Sequence, residues 1–171
     1  PADLGIVRGG PIGIEMAQAQ AKLGCKVTVI DAFTILGRDA PDAAAILKSR
    51  LVDEGVEMIE GVGVKAVSGS AGAILLKLAN GREISASTLL VAAGRRPSIE
   101  RLGLEEAGIR SRPSGIVTDR RLRTNDKRVF AIGDVAGRAQ FTHIAGYHAG
   151  IVIRNMLFRL PARIDDSLTP W

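Results

Sequence analysis

Residues 4–13 read LGIVRGGPIG, a short apolar run that leads into a glycine-rich turn. After the turn, apolar residues recur at spacings of three and four, which predicts a helix over 12–23 with one buried stripe. The stripe comprises Ile12, Met16, Ala19 and Leu23. Gly24 stands where a left-handed residue commonly ends a helix, and the β-branched run 26–30 is typical of a doubly covered parallel strand. The stretch therefore predicts a strand–turn–helix–strand unit that ends at Asp31.

The pattern continues beyond this unit as an α/β sheet with a small insertion. A second helix is predicted over 41–54, because Pro41 suits a first turn and Gly55 a helix end. Further strands are predicted at 56–59, 62–67, 73–79, 82–86 and 88–92. Asn80-Gly81 is a strong hairpin signal, since both residues accept a positive φ. The first 92 residues thus predict a Rossmann-like, doubly wound parallel sheet with an antiparallel β insertion.

The chain breaks at residues 94–97, GRRP, and becomes less regular. A strand is predicted over 129–132, running into Gly133-Asp134, and an amphipathic helix over 142–158. Residues 160–171 contain two prolines and no clear period, which indicates a linker or a frayed tail.

Composition excludes several classes of protein. Hydrophobic residues make up 46% and charged residues 24%, which is ordinary for a soluble globular domain. The apolar runs fall short of the ~20 residues of a membrane span, and the opening residues do not resemble a signal peptide, so we expect a cytoplasmic protein without a membrane partner. One cysteine and two histidines argue against a disulfide framework and a metal site.

The net charge of +5 comes mostly from scattered arginines. It suits an anionic ligand. The arginine cluster at positions 120, 121, 123 and 128 is interrupted by Asp119 and Asp126 and contains no interleaved aromatic residue. It therefore indicates a solvated face and no nucleic-acid partner.

The glycine turn has the form of a dinucleotide-binding turn. In such a turn one glycine makes the tight bend, a second lets the backbone approach a pyrophosphate, and a third lets helix and strand pack closely. Gly10 and Gly13 hold the second and third positions, but Arg8 holds the first. The preceding strand, the following helix and an acid eighteen residues beyond Gly13 all agree with this interpretation. The alternative is a merely glycine-rich connection.

Arg8 has three possible roles. If the turn needs a positive φ at this position, a side chain costs roughly 1–2 kcal/mol. The guanidinium then either lies in solvent as a tolerated variant, assists the pyrophosphate, or obstructs the phosphate site.

Asp31, at the carboxyl end of the second strand, is placed to accept both hydroxyls of an adenosine ribose and would repel a 2′-phosphate. It therefore favours NAD over NADP. Arg38 is the residue that could overturn this preference, because a nearby arginine accommodates a 2′-phosphate.

Three motifs occur in order along the chain: GGPIGIE at 9–15, AAGRRP at 92–97, and Thr124 followed by VFAIGD at 129–134. Together they resemble the pyridine nucleotide–disulfide oxidoreductases, flavoenzymes that hold two dinucleotides. The tail around Leu160-Pro161 and residues 169–171 is similar to the mercuric reductase and dihydrolipoamide dehydrogenase branch.

The resemblance implies a set of cofactor-binding residues. They are Gly9, Gly10, Pro11, Ile12, Gly13, Asp31 and Gly94 for NAD(P), and Gly133, Asp134, His143 and Ala145 for FAD. Glu15 would be catalytic, beside the nicotinamide, although a first-turn acid is also favoured by the helix dipole. Asp134 would bind the ribityl chain. The helix that begins near Thr142 would point its amino end at the flavin, with His143 contributing through its backbone position.

The chain also departs from the family pattern. The family's split flavin domain has an amino-terminal half with another glycine fingerprint and a Cys-x4-Cys, and a carboxyl-terminal domain supplies a His-Glu pair. These patterns are missing from the 171 residues, and Cys25 is expected to be an inert thiol. We therefore expect an internal fragment with an NAD(P) domain at 1–94, the second half of a split FAD domain at 95–160, and a linker at 161–171 toward a dimerisation domain.

The implied function is a part of an FAD-dependent oxidoreductase that moves a hydride from NAD(P)H to FAD and on to a disulfide or related acceptor. The parent is expected to be a homodimer. The isolated chain should be inactive, and should self-associate or be poorly ordered beyond about Pro97, because apolar surface is left uncovered. The alternative is a non-catalytic NAD(H)-binding or sensing module. A short-chain dehydrogenase is excluded, since Ile151 follows Tyr147 where that class needs lysine.

Overall fold

The computed structural model describes residues 1–165 and residue 167. The chain forms two compact units, Pro1–Gly94 and a second that begins at Arg95. Among the described residues, no helix is both long enough and apolar enough to cross a membrane.

The first unit contains a parallel sheet, two helices and an antiparallel insertion. In chain order its elements are β1 (Asp3–Val7), α1 (Pro11–Lys22), β2 (Lys26–Ile30), α2 (Pro41–Asp53), β3 (Glu57–Ile59), β4 (Val64–Ser70), β5 (Ala73–Leu78), β6 (Glu83–Ala86) and β7 (Thr88–Val91). The strand order of the parallel sheet is β3-β2-β1-β7, and β4-β5-β6 form the antiparallel sheet. The predicted doubly wound α/β fold with its antiparallel insertion is confirmed.

The core of this unit lies on both faces of the parallel sheet. Ile6 and Val29 are fully buried on the face that the helices cover, and Ile30 is fully buried on the other face with Leu76 of the insertion. Gly5 has no room for a side chain, because a Cβ there would lie 2.9 Å from Leu76 Cδ1. The β insertion therefore packs directly against β1.

The face that α1 buries differs from the predicted one. The predicted stripe Ile12, Met16, Ala19 and Leu23 is exposed, with Ile12 at 52% and Leu23 at 79%. The buried residues are instead Gly13, Ile14 and Ala17. A Cβ at Gly13 would lie 2.3 Å from the Arg8 carbonyl oxygen, so the helix must approach β1 through Gly13, and this contact sets its rotation. The spacing of apolar residues could not distinguish the two faces.

The second unit is built from loops around one helix. Its elements are β8 (Ser111–Arg112), β9 (Gly115–Ile116), a 3₁₀ turn (Gly133–Ala136) and α3 (Thr142–Met156). Its core comprises Ile116, Leu122, Ala131, Ala136, Ile151 and Ile164.

The strand predicted over 129–132 is wrong. Only a single bridge joins Phe130 to Arg123. The Ala131 N–H bonds to Leu122 O (3.1 Å) as part of this bridge, whereas the Val129 N–H bonds to Asp126 O (3.0 Å) in a local turn. The turn before it therefore limits the pairing of this segment to one bridge.

Part of the predicted tail is packed rather than frayed. Ile164 is fully buried in the core of the second unit, and its N–H bonds to Arg120 O at 2.8 Å. Residues 166 and 168–171, including the 169–171 motif, lie outside the described residues.

Candidate functional site

The glycine turn between β1 and α1 is shaped by its lack of side chains. A Cβ at Gly9 would lie 2.5 Å from Ile35 Cγ1, and one at Gly13 would lie 2.3 Å from Arg8 O. A Cβ at Gly10, in contrast, would meet nothing within 4 Å. Gly9 and Gly13 thus make the fold compact, whereas Gly10 faces open space.

The amino end of α1 opens into that space. Gly10 precedes the helix in an extended conformation (φ −75°, ψ 177°), and Pro11 is the first helical residue. No side chain in the described part of the chain caps this end. The first-turn N–H groups and the positive end of the helix dipole are therefore available to an anion.

Arg8 has a strained backbone, and its side chain lies between an aromatic ring and an acid. Its φ is +84°, in the region that favours glycine, and its N–H bonds to Ile30 O at 2.9 Å. Its Cζ lies 5.6 Å from the centroid of the Phe33 ring, and its Nε lies 4.0 Å from Asp31 Oδ2. The condition posed by the sequence is met, since the turn has a positive φ at this position, and the guanidinium lies beside the acid.

Asp31 is a buried acid that holds the turn. Its Oδ2 accepts the Gly9 N–H at 2.8 Å, and its Oδ1 accepts the Phe33 N–H at 2.9 Å. The carboxylate therefore ties the glycine turn to the loop after β2. Its predicted contact with a ribose stays a prediction.

The loop after β2 is fixed from the other side by Glu60. Its Oε1 accepts the Ile35 N–H at 2.6 Å and a hydrogen bond from Lys48 Nζ at 2.7 Å. Burial acts to raise the pKa of Glu60, but the bonds from Lys48 and Ile35 outweigh it, and the pKa lies below its ordinary value. Leu36 donates its N–H to Gly9 O at 2.9 Å, so loop and turn form one hydrogen-bonded wall.

A cleft of about 640 Å³ lies in front of this wall. Residues 8–12, Asp31, Arg38 and residues 92–94 line it, and Gly94 there has φ +100°. The volume lies within the range of small-molecule and cofactor sites. The structure thus brings the predicted residues of the first unit together around the cleft, except for Glu15 and for Gly13, which is packed behind the turn against Arg8.

Glu15 lies in a neighbouring groove between α1 and α2. The groove has a volume of about 210 Å³ and also contains Ile14 and Leu47. The Glu15 side chain is exposed. Its predicted catalytic role stays a prediction.

In the second unit, Gly133 lies close to α3. It has φ +69°, and a Cβ there would lie 3.2 Å from Ala145 Cβ. Its N–H bonds to Nδ1 of His148 at 3.1 Å, and His148 is fully buried. Asp134 follows on the turn with its side chain exposed. Sequence reasoning missed His148, although its spacing of four from Ile144 and three from Ile151 places it on their buried face.

The amino end of α3 carries the remaining predicted residues. His143 is exposed, and its ring stacks on Phe141 with centroids 5.3 Å apart and planes at 12°. None of the described side chains caps this helix. The N–H groups of Ile144 and Ala145 both bond to Phe141 O, which leaves those of Thr142 and His143 to face an acceptor.

Two further expectations concern other kinds of site. Among the described residues, no group of three or more His, Cys, Asp and Glu could hold a metal ion, and Cys25 is buried as a free thiol. In the arginine cluster, Asp119 Oδ1 accepts the N–H groups of Arg121 and Arg123, and Arg128 pairs with Asp126 at 2.8 Å. The acids that interrupt the cluster thus organise its loop.

These features define a dinucleotide-binding fold: a parallel sheet, a glycine turn at the start of a helix, and an acid at the end of the second strand. The pyridine nucleotide-disulphide oxidoreductase family matches residues 1–149, and the chain belongs to this family. The resemblance drawn from the three sequence motifs is confirmed.

Named relatives agree with this membership. The chain is 36% identical to a dihydrolipoyl dehydrogenase of Geobacillus stearothermophilus over 99% of its length, and 33% identical to a mercuric reductase of Staphylococcus aureus over 99%. A solved structure, a Cu(II) complex of the HOCl-induced flavoprotein disulfide reductase RclA from Escherichia coli, matches with a TM-score of 0.90 and 34% identity over 97% of this chain. The match covers 39% of that structure's chain.

The chain spans about a third of the length of the curated relatives it matches, 37% and 32% for the first two. Homologues in the family use FAD and NAD(P)H. The open Gly10, the uncapped α1 and the cleft in front of them fit the pyrophosphate of such a dinucleotide.

Proposed function

We propose that the chain supplies the NAD(P)-binding domain and part of the flavin site of an FAD-dependent pyridine nucleotide–disulfide oxidoreductase. Family membership gives the class of enzyme. The observation that carries the binding role is the open space at Gly10, in a turn whose other glycines are packed.

The first unit, residues 1–94, would bind the pyridine nucleotide. The first-turn N–H groups of α1 hold the pyrophosphate, and Gly10 lets the main chain approach it. Gly9, Pro11, Ile12 and Gly13 shape the same wall. Asp31 holds the turn against the ribose end of the cleft, and Gly94 forms its far side.

Glu15 is assigned to the nicotinamide side of the coenzyme, through the resemblance of GGPIGIE to the family motif. When bound, NAD(P)H supplies the reducing equivalents. The protein's part is to orient the coenzyme and to exclude competing contacts.

Residues 95–160 would supply part of the flavin site. Gly133 brings the turn against α3, and its positive φ turns the chain so that Asp134 is exposed. Asp134 is the proposed ribityl acceptor. The amino end of α3, with His143 and Ala145, would present its N–H groups and dipole to the flavin, which stabilises negative charge on the ring.

The proposal includes partners of the whole protein. Residues 161–171 would lead toward a dimerisation domain, and the parent would act as a homodimer. Electrons would pass through FAD to a disulfide or related acceptor.

Calorimetric titration of NADH and NADPH into the 171-residue chain tests the binding role. Gly10→Ala is the informative variant, because its methyl group enters open space and its backbone suits alanine. We expect both coenzymes to bind the unmodified chain, and Gly10→Ala to weaken binding at least about tenfold through its contact with the pyrophosphate.

The matched control is Gly63→Ala, which adds a methyl group in the same unit at ordinary contact distance, 3.4 Å from Ala32 Cβ. This control should bind both coenzymes as tightly as the unmodified chain does. Both variants should unfold on heating as cooperatively as the unmodified chain. A chain that is folded yet binds neither coenzyme would contradict the proposal.

A further inference from the structure

The coenzyme cleft has an arginine where dinucleotide turns have a glycine. The Arg8 side chain extends toward the carboxyl end of β2, where its Cζ lies 5.6 Å from the Phe33 ring centroid and its Nε lies 4.0 Å from Asp31 Oδ2. In dinucleotide folds this strand end receives the adenosine ribose, whereas the pyrophosphate goes to the amino end of the helix. The guanidinium therefore lies at the ribose end of the cleft.

The Asp31 carboxylate is mostly buried at that end. Its side chain is 6% exposed, and each carboxylate oxygen already accepts a main-chain N–H, from Gly9 and Phe33. Arg8, with a side chain that is 42% exposed, lies on the outer side of the acid. A ligand at this position meets the guanidinium first, and the repulsion that a bare acid would exert on a phosphate is reduced.

The charged groups that line the cleft differ in exposure. Arg38 and Asp39 both line it and both are exposed, and Arg8 and Asp31 are the other two charged groups. Asp31 is the buried member of the four, so two of the three accessible charges in the cleft are cationic.

We propose that Arg8 selects the adenosine 2′-phosphate, so that this chain prefers NADPH to NADH; the inference rests on the coenzyme-binding function proposed above. A guanidinium binds phosphate through two parallel N–H groups, which gives both strength and geometry. The Phe33 ring lies against the Arg8 guanidinium and restricts the conformational freedom of that side chain in the unliganded protein. In an NAD site the acid at this strand end binds the ribose hydroxyls. In this chain the guanidinium of Arg8 would instead bind a phosphate at the same place.

Arg8→Gln is the variant that isolates this role. It keeps a similar length and the same backbone demand, but removes the positive charge and the forked donor. NADH and NADPH are titrated calorimetrically into both chains, and 2′,5′-ADP and 5′-AMP are titrated as probes that differ in the 2′-phosphate. Thermal melting confirms that the variant is folded.

The unmodified chain should bind NADPH more tightly than NADH, and 2′,5′-ADP more tightly than 5′-AMP. Arg8→Gln should weaken the binding of NADPH and 2′,5′-ADP about tenfold, because a charged contact with the phosphate is lost. The affinities for NADH and 5′-AMP should stay nearly unchanged. Arg50→Gln removes the same charge from an exposed position on α2 that does not line the cleft; it is the matched control and should leave the preference unchanged. Arg38→Gln tests the competing arginine of the cleft and should change the preference much less than Arg8→Gln.

Failure of this inference is distinguishable from failure of the proposed function. One outcome is that NADH binds, that Gly10→Ala abolishes this binding, and that Arg8→Gln leaves the ratio of the NADPH and NADH affinities unchanged. In that case the proposed function stands and the proposed selection by Arg8 is wrong. Equal weakening of both coenzymes, or a ratio controlled by Arg38 instead, also overturns it. If neither coenzyme binds the unmodified chain, both proposals fail together.

Discussion

Arg8 has φ +84°, a backbone conformation that glycine adopts readily and residues with a side chain rarely adopt. Its carbonyl oxygen lies where a side chain at Gly13 would collide, so the turn cannot relax around it. The residue is held in place by the Ile30 carbonyl behind it and by Asp31 and Phe33 in front. The strain is therefore a property of the turn, and the arginine tolerates it.

Replacing Arg8 by glycine should relieve this strain, whereas Arg8→Ala should keep it. Both variants lose the same side-chain contacts, so their difference isolates the backbone. We expect Arg8→Gly to exceed Arg8→Ala in free energy of unfolding by about 1–2 kcal/mol, less the entropy that glycine adds to the unfolded chain. Urea unfolding of both variants measures the difference, and equal stabilities would contradict it.

Glu60 predicts a response to acid. Because its folded pKa lies below the ordinary 4.5, its bonds to Ile35 and Lys48 stabilise the fold fully above about pH 4.5, and this contribution is lost as the pH falls through the lower folded pKa. The Glu60 side chain is partly exposed, so the effect should stay below ~1 kcal/mol.

Glu60→Gln keeps an acceptor for the Ile35 N–H but cannot titrate. Denaturant unfolding of both chains between pH 7 and pH 3 should show a stability gap that closes on the acid side. A gap that is constant with pH would show that Glu60 does not contribute through its charge.

At the scale of elements, α3 positions the turn that carries Asp134. His148 is buried on the helix face that points inward and accepts the Gly133 N–H at 3.1 Å. The close approach of Gly133 to Ala145 adds a steric requirement to this bond. The position of this turn therefore depends on its contacts with α3.

His148 should be replaceable by asparagine better than by leucine. Asn offers an oxygen near the position of Nδ1, whereas Leu has a similar size but leaves the buried Gly133 N–H unsatisfied. We expect His148→Leu to be less stable than His148→Asn by about 1–3 kcal/mol. Thermal unfolding at neutral pH measures this, and a leucine variant as stable as the asparagine one would contradict the role of the bond.

The elements of the first unit could be predicted from sequence because each has local signals. Pro41 and Gly55 mark α2, and Asn80-Gly81 turns between β5 and β6. The buried face of α1 could not be predicted, since Gly13 contributes through the absence of a side chain. The local pattern at 129–132 could not show that the turn before it would limit its pairing to one bridge.

The candidate site was predictable only in part, because local sequence signals locate a turn but do not show the tertiary contacts around it. Glycine spacing located the turn and Asp31, because a glycine turn between a strand and a helix, followed by an acid at the end of the next strand, is a recurrent local pattern. The double role of Asp31 as acceptor for Gly9 and Phe33, and the contact of Arg8 with Phe33, depend on packing of a loop that has no periodic pattern.

At the scale of the whole molecule, apolar side chains remain on the surface of the second unit. Met156, Leu157, Phe158 and Leu160, at the end of α3 and just after it, are all more than half exposed, with Phe158 at 66%. A patch of this kind favours association.

The 171-residue chain should therefore self-associate in size-exclusion chromatography. A double substitution of Leu157 and Phe158 by lysine should shift it toward the monomer, because it places charge within the patch. Leu102→Lys, at another exposed leucine of the second unit, is the control and should not. A monomeric unmodified chain would contradict the prediction.

The chain should also be purified colourless and without NADH-dependent dye reduction. In the family pattern the flavin site is completed by residues that do not occur among these 171, so flavin should not be retained. Absorbance near ~450 nm and a diaphorase assay test this, since bound flavin brings its own spectrum and chemistry. A yellow, active chain would overturn the expectation.

The packing of the glycine turn has a consequence for how coenzyme choice could change. Gly9 and Gly13 are sterically locked, and a methyl group at Gly10 would occupy the cleft, so these positions tolerate little variation. Under the role proposed for Arg8, position 8 projects its side chain toward Asp31, at the end of the cleft that would hold the ribose. A single codon change there would then retune the coenzyme preference of the domain and leave the glycine scaffold intact.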